Sequence, residues 1–476
     1  MNKKFLAVLF LLLLGASKVS AALSEEAKQD IFLMFDSNVL LAPHAKSELQ
    51  VNDKGNIVEL VFPAFEIKNP EGTTKRIPSY TMLLTPIDLF QGLPQFSFKT
   101  SEFPRLQAML YPFMMLSQAR AETYVEESNI VPALQFATSQ SMKIRKLVFS
   151  EVDEETGLQQ DWVSLDLFDL TSKAVEGENG LDYEADMRYS GFNMKMPFFT
   201  MRVPNAAYKF NMKNAEMAKR GKLPVFADKV AWAFKTDEIS SSVPMLGTAI
   251  KFKLDSKGVF DGNREANTLT MNSKFGLTDL KVETQFPLDN LPTSVEMQFI
   301  AKGIDYAKIL EVQKLQEEYM ETSATAWNSN ENEEEEPNPM QTMIFSKMKE
   351  AFTKGEMTYA GKVLFENGAI LAQGVARLES DDNVATKTEL SIINMDVISP
   401  DYTAACMRDQ AVSIDPEKIP ESCMKFGMLN QLRPYLDFSK RTMNDKGQTV
   451  DKFVVTSSKG NTFINGKMLP KAPAGQ

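Results

Sequence analysis

The chain has 476 residues, 43% of them hydrophobic, with 52 Lys and Arg against 63 Asp and Glu. That length fits two or three domains, and that apolar content fills a real core, which excludes a disordered chain. A net charge of −11 repels phosphate backbones and anionic bilayer surfaces, so nucleic acid is excluded as an expected partner.

The N-terminal segment has the order of a secretory signal peptide. Lys3 and Lys4 are followed by ten unbroken apolar residues, Phe5 to Leu14, and then by Gly15-Ala16-Ser17 and Val19-Ser20-Ala21. Ten residues at about 1.5 Å rise fall short of a hydrocarbon core roughly 30 Å thick. Cleavage is expected between Ala21 and Ala22, the alternative being an uncleaved inner-membrane anchor. Removal of residues 1–21 takes away three lysines and no acid, leaving 49 bases against 63 acids, a net charge of −14. No later apolar run reaches 18 residues, so no transmembrane span is expected in the mature chain. The polar tail from Lys471 to Gln476 and the long predicted helices argue against an outer-membrane barrel.

Ser24 caps a predicted helix to Asp36, with Glu25 and Glu26 in its first turn and Ile31, Phe32, Met34 and Phe35 on one stripe. From about residue 45 the period becomes two. Strands at 58–62, 64–67 and 79–84 alternate with turn clusters at 52–56 and 69–72. Residues 104–125 read as a helix opening at Pro104, with Pro112 expected to kink or split it. Strands return at 142–149, 162–168 and 181–194, and again at 230–234, 249–254, 268–275, 281–286 and 294–300. Asp305 opens a long helix to about Ala324. Residues 328–339 form an acidic linker with five glutamates and two prolines. A solvated loop is the plainer reading of it, and a Ca²⁺ site the sharper one. A helix at 340–353 precedes a hairpin centred on Asn367-Gly368. A helical section at 400–434 and strands flanking 444–447 and 458–461 complete the chain.

This order predicts an α+β fold that is predominantly antiparallel β-sheet, with long twisted sheets interrupted by a few amphipathic helices. The expected segments are a signal peptide at 1–21, an N-terminal β-rich region with helices at 22–220, and a middle β region at 221–327 ending in a long helix. The linker at 328–339 then leads to a C-terminal β region at 340–476 carrying a helical insertion with two cysteines. Cys406 and Cys423, the only cysteines, are expected to pair in an exported chain. They close a loop of about 16 residues, which in the chain-entropy model is worth roughly 3 kcal/mol. A redox pair is the alternative.

Chemistry-bearing motifs are sparse. His44 is the single histidine, in a loop, and nothing places a nucleophile beside it. One histidine and two paired cysteines cannot build a typical zinc site. Ser346/Lys349 and Ser422/Lys425 match Ser-x-x-Lys, but the companion motifs of penicillin-recognising enzymes are missing. Gly460 to Lys467 resembles a phosphate loop, yet has one residue too many and Met468 where a Mg²⁺-binding hydroxyl belongs, so it reads as a hairpin turn. Asp166/Asp169 is one of many carboxylate pairs in an acidic chain. No catalytic, cofactor or metal residues are assigned, and no enzyme activity is expected. The unusual feature is 27 Met and 32 Phe, dense at Met109, Met114 and Met115 and from Met194 to Met201. They suit either a Met- and Phe-filled core or a groove for a lipid or apolar peptide.

Leu291 to Ala307, the segment around Asn367-Gly368 from Met357 to Leu378, and Phe463 to Lys467 resemble the C-terminal part of the YdgA-like family of bacterial envelope proteins, whose function is unknown. The likeness covers about 180 residues of the last third; the acidic linker and the cysteine-bearing insertion depart from it. It implies a periplasmic protein facing the inner membrane, and carries over no catalytic residues. The resulting expectation is a non-enzymatic periplasmic protein that binds a hydrophobic ligand in a sheet-lined groove. The alternatives are an assembly scaffold acting through envelope-protein contacts and an unrecognised hydrolase.

Overall fold

A computed structural model describes residues 23–38, 49–68, 74–110, 118–134, 136–152, 159–177, 180–215, 227–284, 290–326, 339–378, 384–400, 402, 406–407, 409, 430–458 and 461–469. The fold is α+β and predominantly antiparallel β: among the described residues every ladder is antiparallel, and five α-helices interrupt the strands. Two compact units form. One holds residues 1–160, 170–174 and 218–223; the other holds 161–169, 175–217 and 224–476.

The first unit begins with α1 (Glu25–Asn38), whose first turn is capped where Ala27 N donates to Ser24 Oγ at 3.1 Å. Strands β1 (Gln50–Asp53) and β2 (Val58–Phe62), hairpin β3 (Phe65–Lys68) and β4 (Thr74–Ile77), and strands β5 (Tyr80–Phe90) and β6 (Leu93–Thr100) follow. Next come α2 (Phe103–Met109), β7 (Gln118–Arg120), β8 (Thr123–Val131) and β9 (Phe136–Val152). The alternation expected from a one-sided sheet is clean in β2, where Val58, Leu60 and Phe62 are buried and the residues between them are not. Ile31, Met34 and Phe35 of α1 close this core with Tyr80, Met82, Leu84, Phe96 and Phe98. Phe62 stacks on Tyr80 at 4.4 Å. Each such buried side chain is worth about 1.5–3 kcal/mol of transfer free energy.

The helix predicted over 104–125 is corrected. Among the described residues of this stretch Phe103–Met109 is helical, whereas 118–120 pair with 148–150 and 123–131 pair with 136–145. Leu106 and Leu110 suit helical spacing, but Tyr124, Glu126, Ser128 and Ile130 are buried at period two, and the ladders satisfy their backbone. Pro112, Met114 and Met115 lie outside the described residues, as do the signal segment, His44, Cys423 and residues 328–338 of the acidic linker.

Strand β10 (Gln159–Glu176) supplies residues 161–169 to the second unit. The unit continues through β11 (Leu181–Met196), β12 (Phe199–Ala215), β13 (Lys229–Thr236), β14 (Ile239–Val243), β15 (Thr248–Asn263), β16 (Thr268–Glu283) and β17 (Ser294–Asp305). Helices α3 (Tyr306–Ala326) and α4 (Pro339–Phe352) precede β18 (Glu356–Phe365), β19 (Gly368–Leu378) and β20 (Val384–Ile393). The short helix α5 (Met395–Ile398), a 3-10 stretch at Asn430–Phe438, and β21 (Lys440–Met443), β22 (Thr449–Ser458), β23 (Asn461–Ile464) and β24 (Lys467–Met468) complete it. From β11 to β20 the strands run as a meander, with β13 and β14 sharing one position between β12 and β15, and β22 pairs onto β20.

Asp305 caps α3, its Oδ1 accepting from Lys308 N at 3.2 Å, as the sequence predicts. The hairpin at Asn367-Gly368 is found one residue earlier than expected. Phe365 faces Gly368 across a two-residue turn of Glu366 and Asn367, neither at positive φ. Gly368 is already in the strand, where a Cβ would collide with Ile398 of α5 and the Ile393 carbonyl. Glycine is needed there for packing, not for a turn. Asn465 and Gly466, both at positive φ, form the expected tight turn, so residues 461–467 are hairpin and not a phosphate loop.

Candidate ligand-binding face

The register of the second unit places its apolar residues in rows that cross the sheet. Residues directly opposite each other on neighbouring strands share a face. The first row runs Tyr183, Met212, Val230, Phe260, Met271, Ala301, Met357 and Ala376. The second runs Ala185, Phe210, Trp232, Gly258, Ser273, Phe299, Tyr359 and Gly374. The third runs Met187, Tyr208, Phe234, Ser256, Phe275, Met297, Gly361 and Ala372. A fourth, from Leu254 through Leu277, Val295, Val363 and Ile370 to Ile392, completes the face. No ionisable group other than tyrosine stands in these rows. The opposite face carries rows such as Asp186, Lys209, Ala233, Lys257, Lys274 and Gln298. The sheet is therefore amphipathic across its whole width.

Helices cover the outer rows. Ile309 and Leu310 of α3, with Ala351 and Phe352 of α4, pack on Phe260, Met271 and Ala301 in the first row. Lys308 and Lys347 bridge α3 to α4 through Glu350 and Glu311. Met395 and Ile398 of α5, with Leu436 and Phe438, pack on Val363, Ile370 and Ile392 in the fourth row. Among the described residues no helix covers the middle of the second and third rows: Phe275 is 38% exposed, Met297 42% and Phe299 38%. Three large apolar neighbours this open on one face do not form a packed core.

Two cross-strand pairs shape the floor. The Trp232 ring lies over Gly258, where a Cβ would overlap it, and stacks beside Phe260 at 5.2 Å. The Tyr359 ring lies over Gly374 and its hydroxyl bonds Thr388 Oγ1. In both pairs an aromatic ring covers a glycine that has no side chain to pack.

The Met194 to Met201 cluster lies at one end of this sheet. Met194 faces Met201 and Met196 faces Phe199 across a turn whose Phe198 is 59% exposed. Gly191, at φ +66°, reverses the pleat, so Tyr189 and Phe192 stand edge to face at 6.4 Å although three residues apart. They join Val203, Ala206, Ile239 and Met201 in an apolar cluster that also takes in Phe234 of the third row and Leu254 of the fourth. Met201 is thus core, and the open residues lie on β16 and β17, which the Met content did not single out. Their signal was the alternation of Met271, Ser273 and Phe275 and of Val295, Met297 and Phe299.

Other candidates do not assemble. Asp166 and Asp169 are three apart on a strand, which puts them on opposite faces. Ser346 and Lys349 lie exposed on α4, and Ser422 and Lys425 lie outside the described residues. Among the described residues no group of His, Cys, Asp and Glu is arranged to hold a metal ion. Cys406 is half-buried, and there is no free cysteine among the described residues. Asp451 of the second unit is fully buried against Arg441, and the first unit holds a pair buried on both sides. Arg105 Nε donates to Glu126 Oε2 at 3.2 Å, and the Tyr124 hydroxyl donates to the same oxygen at 2.5 Å. Burial first, and then the adjacent Glu126 carboxylate, pushes the Tyr124 hydroxyl up, and burial does the same to Tyr80; both stay neutral. Two further concavities are present among the described residues, the second of them lined in part by Tyr359 and Gly374 of the second row. One of about 740 Å³ in the first unit is lined by Thr85, Ser97, Asn129 and Ser139 beside the Lys99–Glu127 pair. One of about 380 Å³ in the second is lined by Gln298, Gln373, Lys387 and Glu389.

No family model, no curated protein and no solved structure matches the chain. The YdgA-like resemblance rests on the residues quoted for it. No helix among the described residues is long and apolar enough to cross a membrane.

Proposed function

We propose that this is an exported, non-enzymatic envelope protein that holds a hydrophobic ligand on the open apolar face of its long sheet. The observation that carries the reading is the exposure of Phe275, Met297 and Phe299 between two helix-covered margins of an uncharged face. Leaving such a face bare in water forfeits about 25 cal/mol per Å² of apolar surface, so an occupant that covers it is favoured. The lysine-led apolar segment at residues 3–14 and the likeness of the last third to an envelope family support export to the periplasm. The paired cysteines expected at 406 and 423 suit the same compartment.

The test is native mass spectrometry of the full chain purified under mild conditions, followed by lipid extraction and rebinding. An extractable apolar molecule at fixed stoichiometry, regained by the stripped protein, is the expected result. Stripped protein that takes up neither lipid nor an apolar dye would overturn the reading.

A further inference from the structure

Resting on that reading, we infer that the occupant is a single hydrocarbon chain, the acyl chain of a fatty acid or phospholipid, lying across the strands along the second and third rows. Three features of the face select it. The first is chemistry. The floor consists of interior strands, whose backbone N–H and C=O groups are spent in ladders on both sides. Its side-chain polar atoms in β13 to β19 are the Trp232 indole N–H, the hydroxyls of Ser256 and Ser273, and the Tyr359 hydroxyl already bonded to Thr388. An extended peptide laid there would leave its own backbone groups unpaired, which disfavours it. A hydrocarbon chain has no such groups.

The second feature is width. The helices pack on the first and fourth rows, so the clear floor is the second and third. Those rows are two residues apart along each strand, about 7 Å at the usual rise. A peptide helix with side chains is about 10–12 Å across, wider than that floor. The third feature is length. From Trp232 on β13 to Gly374 on β19 the second row crosses six strands, while the third is clear from Ser256 onward because Phe234 packs against Ile239 and Val203. At about 4.8 Å per step the floor is roughly 24 Å long. One leaflet holds acyl chains in roughly 15 Å, half of a bilayer core. A complete chain therefore fits without leaving the face. At its far end the third row passes to Leu390 and Phe453, which pack in the cluster with Met395 and Ile398, so the floor is stopped there.

Trp232 stands in the second row and reports occupancy directly. The chain has three tryptophans, so Trp162→Phe with Trp327→Phe leaves it as the single emitter. The delipidated full-length variant is titrated with dibromostearate and, separately, with vesicles of phosphatidylcholine brominated on one chain. Saturable quenching of Trp232 by the free acid is the expected result; quenching by the vesicles as well identifies phospholipid as a source of the chain. Phe299→Asp raises the half-saturation concentration at least about tenfold, while Gln298→Asp, on the polar face, leaves it unchanged. Both variants are checked for native far-UV circular dichroism, and Met297→Asp serves if Phe299→Asp does not fold. Binding of an apolar dye without quenching by either brominated lipid would overturn the acyl-chain assignment and leave the groove reading standing. Failure of dye and lipids alike would overturn both. Quenching that Phe299→Asp and Met297→Asp leave unchanged would place the chain elsewhere and overturn this inference.

Discussion

Gly258→Ala tests the floor of the apolar face through one contact. Gly258 has an extended backbone, so alanine meets no conformational strain there; the obstacle is the Trp232 ring, whose Cε2 would lie 2.7 Å from the new Cβ and whose nearer atoms would overlap it. Overpacking of this kind costs about 1–3 kcal/mol. With Trp232 truncated the sign reverses. Glycine inside a strand is worse than alanine by about 0.5–1 kcal/mol, so in a Trp232→Ala background Gly258→Ala stabilises by that amount. The coupling between the two sites is then about 1.5–4 kcal/mol, well above the few tenths expected of independent sites. Urea unfolding of the four proteins in the cycle measures it, with hydrogen exchange on β13, β15 and β16 to assign the change to this sheet. Equal effects of Gly258→Ala in both backgrounds would refute the placement of the indole over Gly258, and with it the register that builds the rows.

Three further outcomes are expected. Glu126→Ala leaves the buried Arg105 guanidinium without its carboxylate and removes the acceptor of Tyr124, and costs about 3–5 kcal/mol; the double change Arg105→Met/Glu126→Leu recovers most of it in urea unfolding, and a loss under about 1 kcal/mol for the single change would contradict the buried pair. Asp53 accepts from Leu23 N at 2.6 Å and Gly55 N at 2.8 Å, which hold its carboxyl below the ordinary range. Its folded value lies below its unfolded one, so its contribution is present above about pH 4 and lost as the pH falls through the lower folded value. Asp53→Asn therefore flattens that part of the acid dependence of thermal unfolding, and identical acid profiles would contradict it. Peptide mapping without reduction recovers Cys406 joined to Cys423, and reduction costs roughly 3 kcal/mol; alkylation of both thiols in unreduced protein would refute the pairing.

How far the sequence reached depends on whether a signal was local. Ser24 and Asp305 announce their helices because a cap is a contact between residues three apart, so the caps were readable before any tertiary structure. The same holds for the turn at Asn465-Gly466, where positive φ demands those residue types. Residues 118–125 failed the local reading, which put them in a helix. Their apolar spacing fits a helix in part, and only pairing with β9 shows that Glu126 and Ser128 are buried at period two.

The chain's amino-acid order settles the α+β class and the strand-by-strand alternation, because the pleat reverses every residue and needs no partner to be read. It does not settle which alternations line up. Trp232 and Phe299 are 67 residues apart, and Phe275 and Met297 are 22 apart. Their common face exists only through the register of three ladders. Which parts of that face are covered is likewise tertiary. Nothing in the composition of α3, α4 or α5 says that they pack on the first and fourth rows and leave Phe275, Met297 and Phe299 to the solvent. Burial is a property of neighbours, and those neighbours come from far along the chain, so the candidate site is legible only in the folded protein.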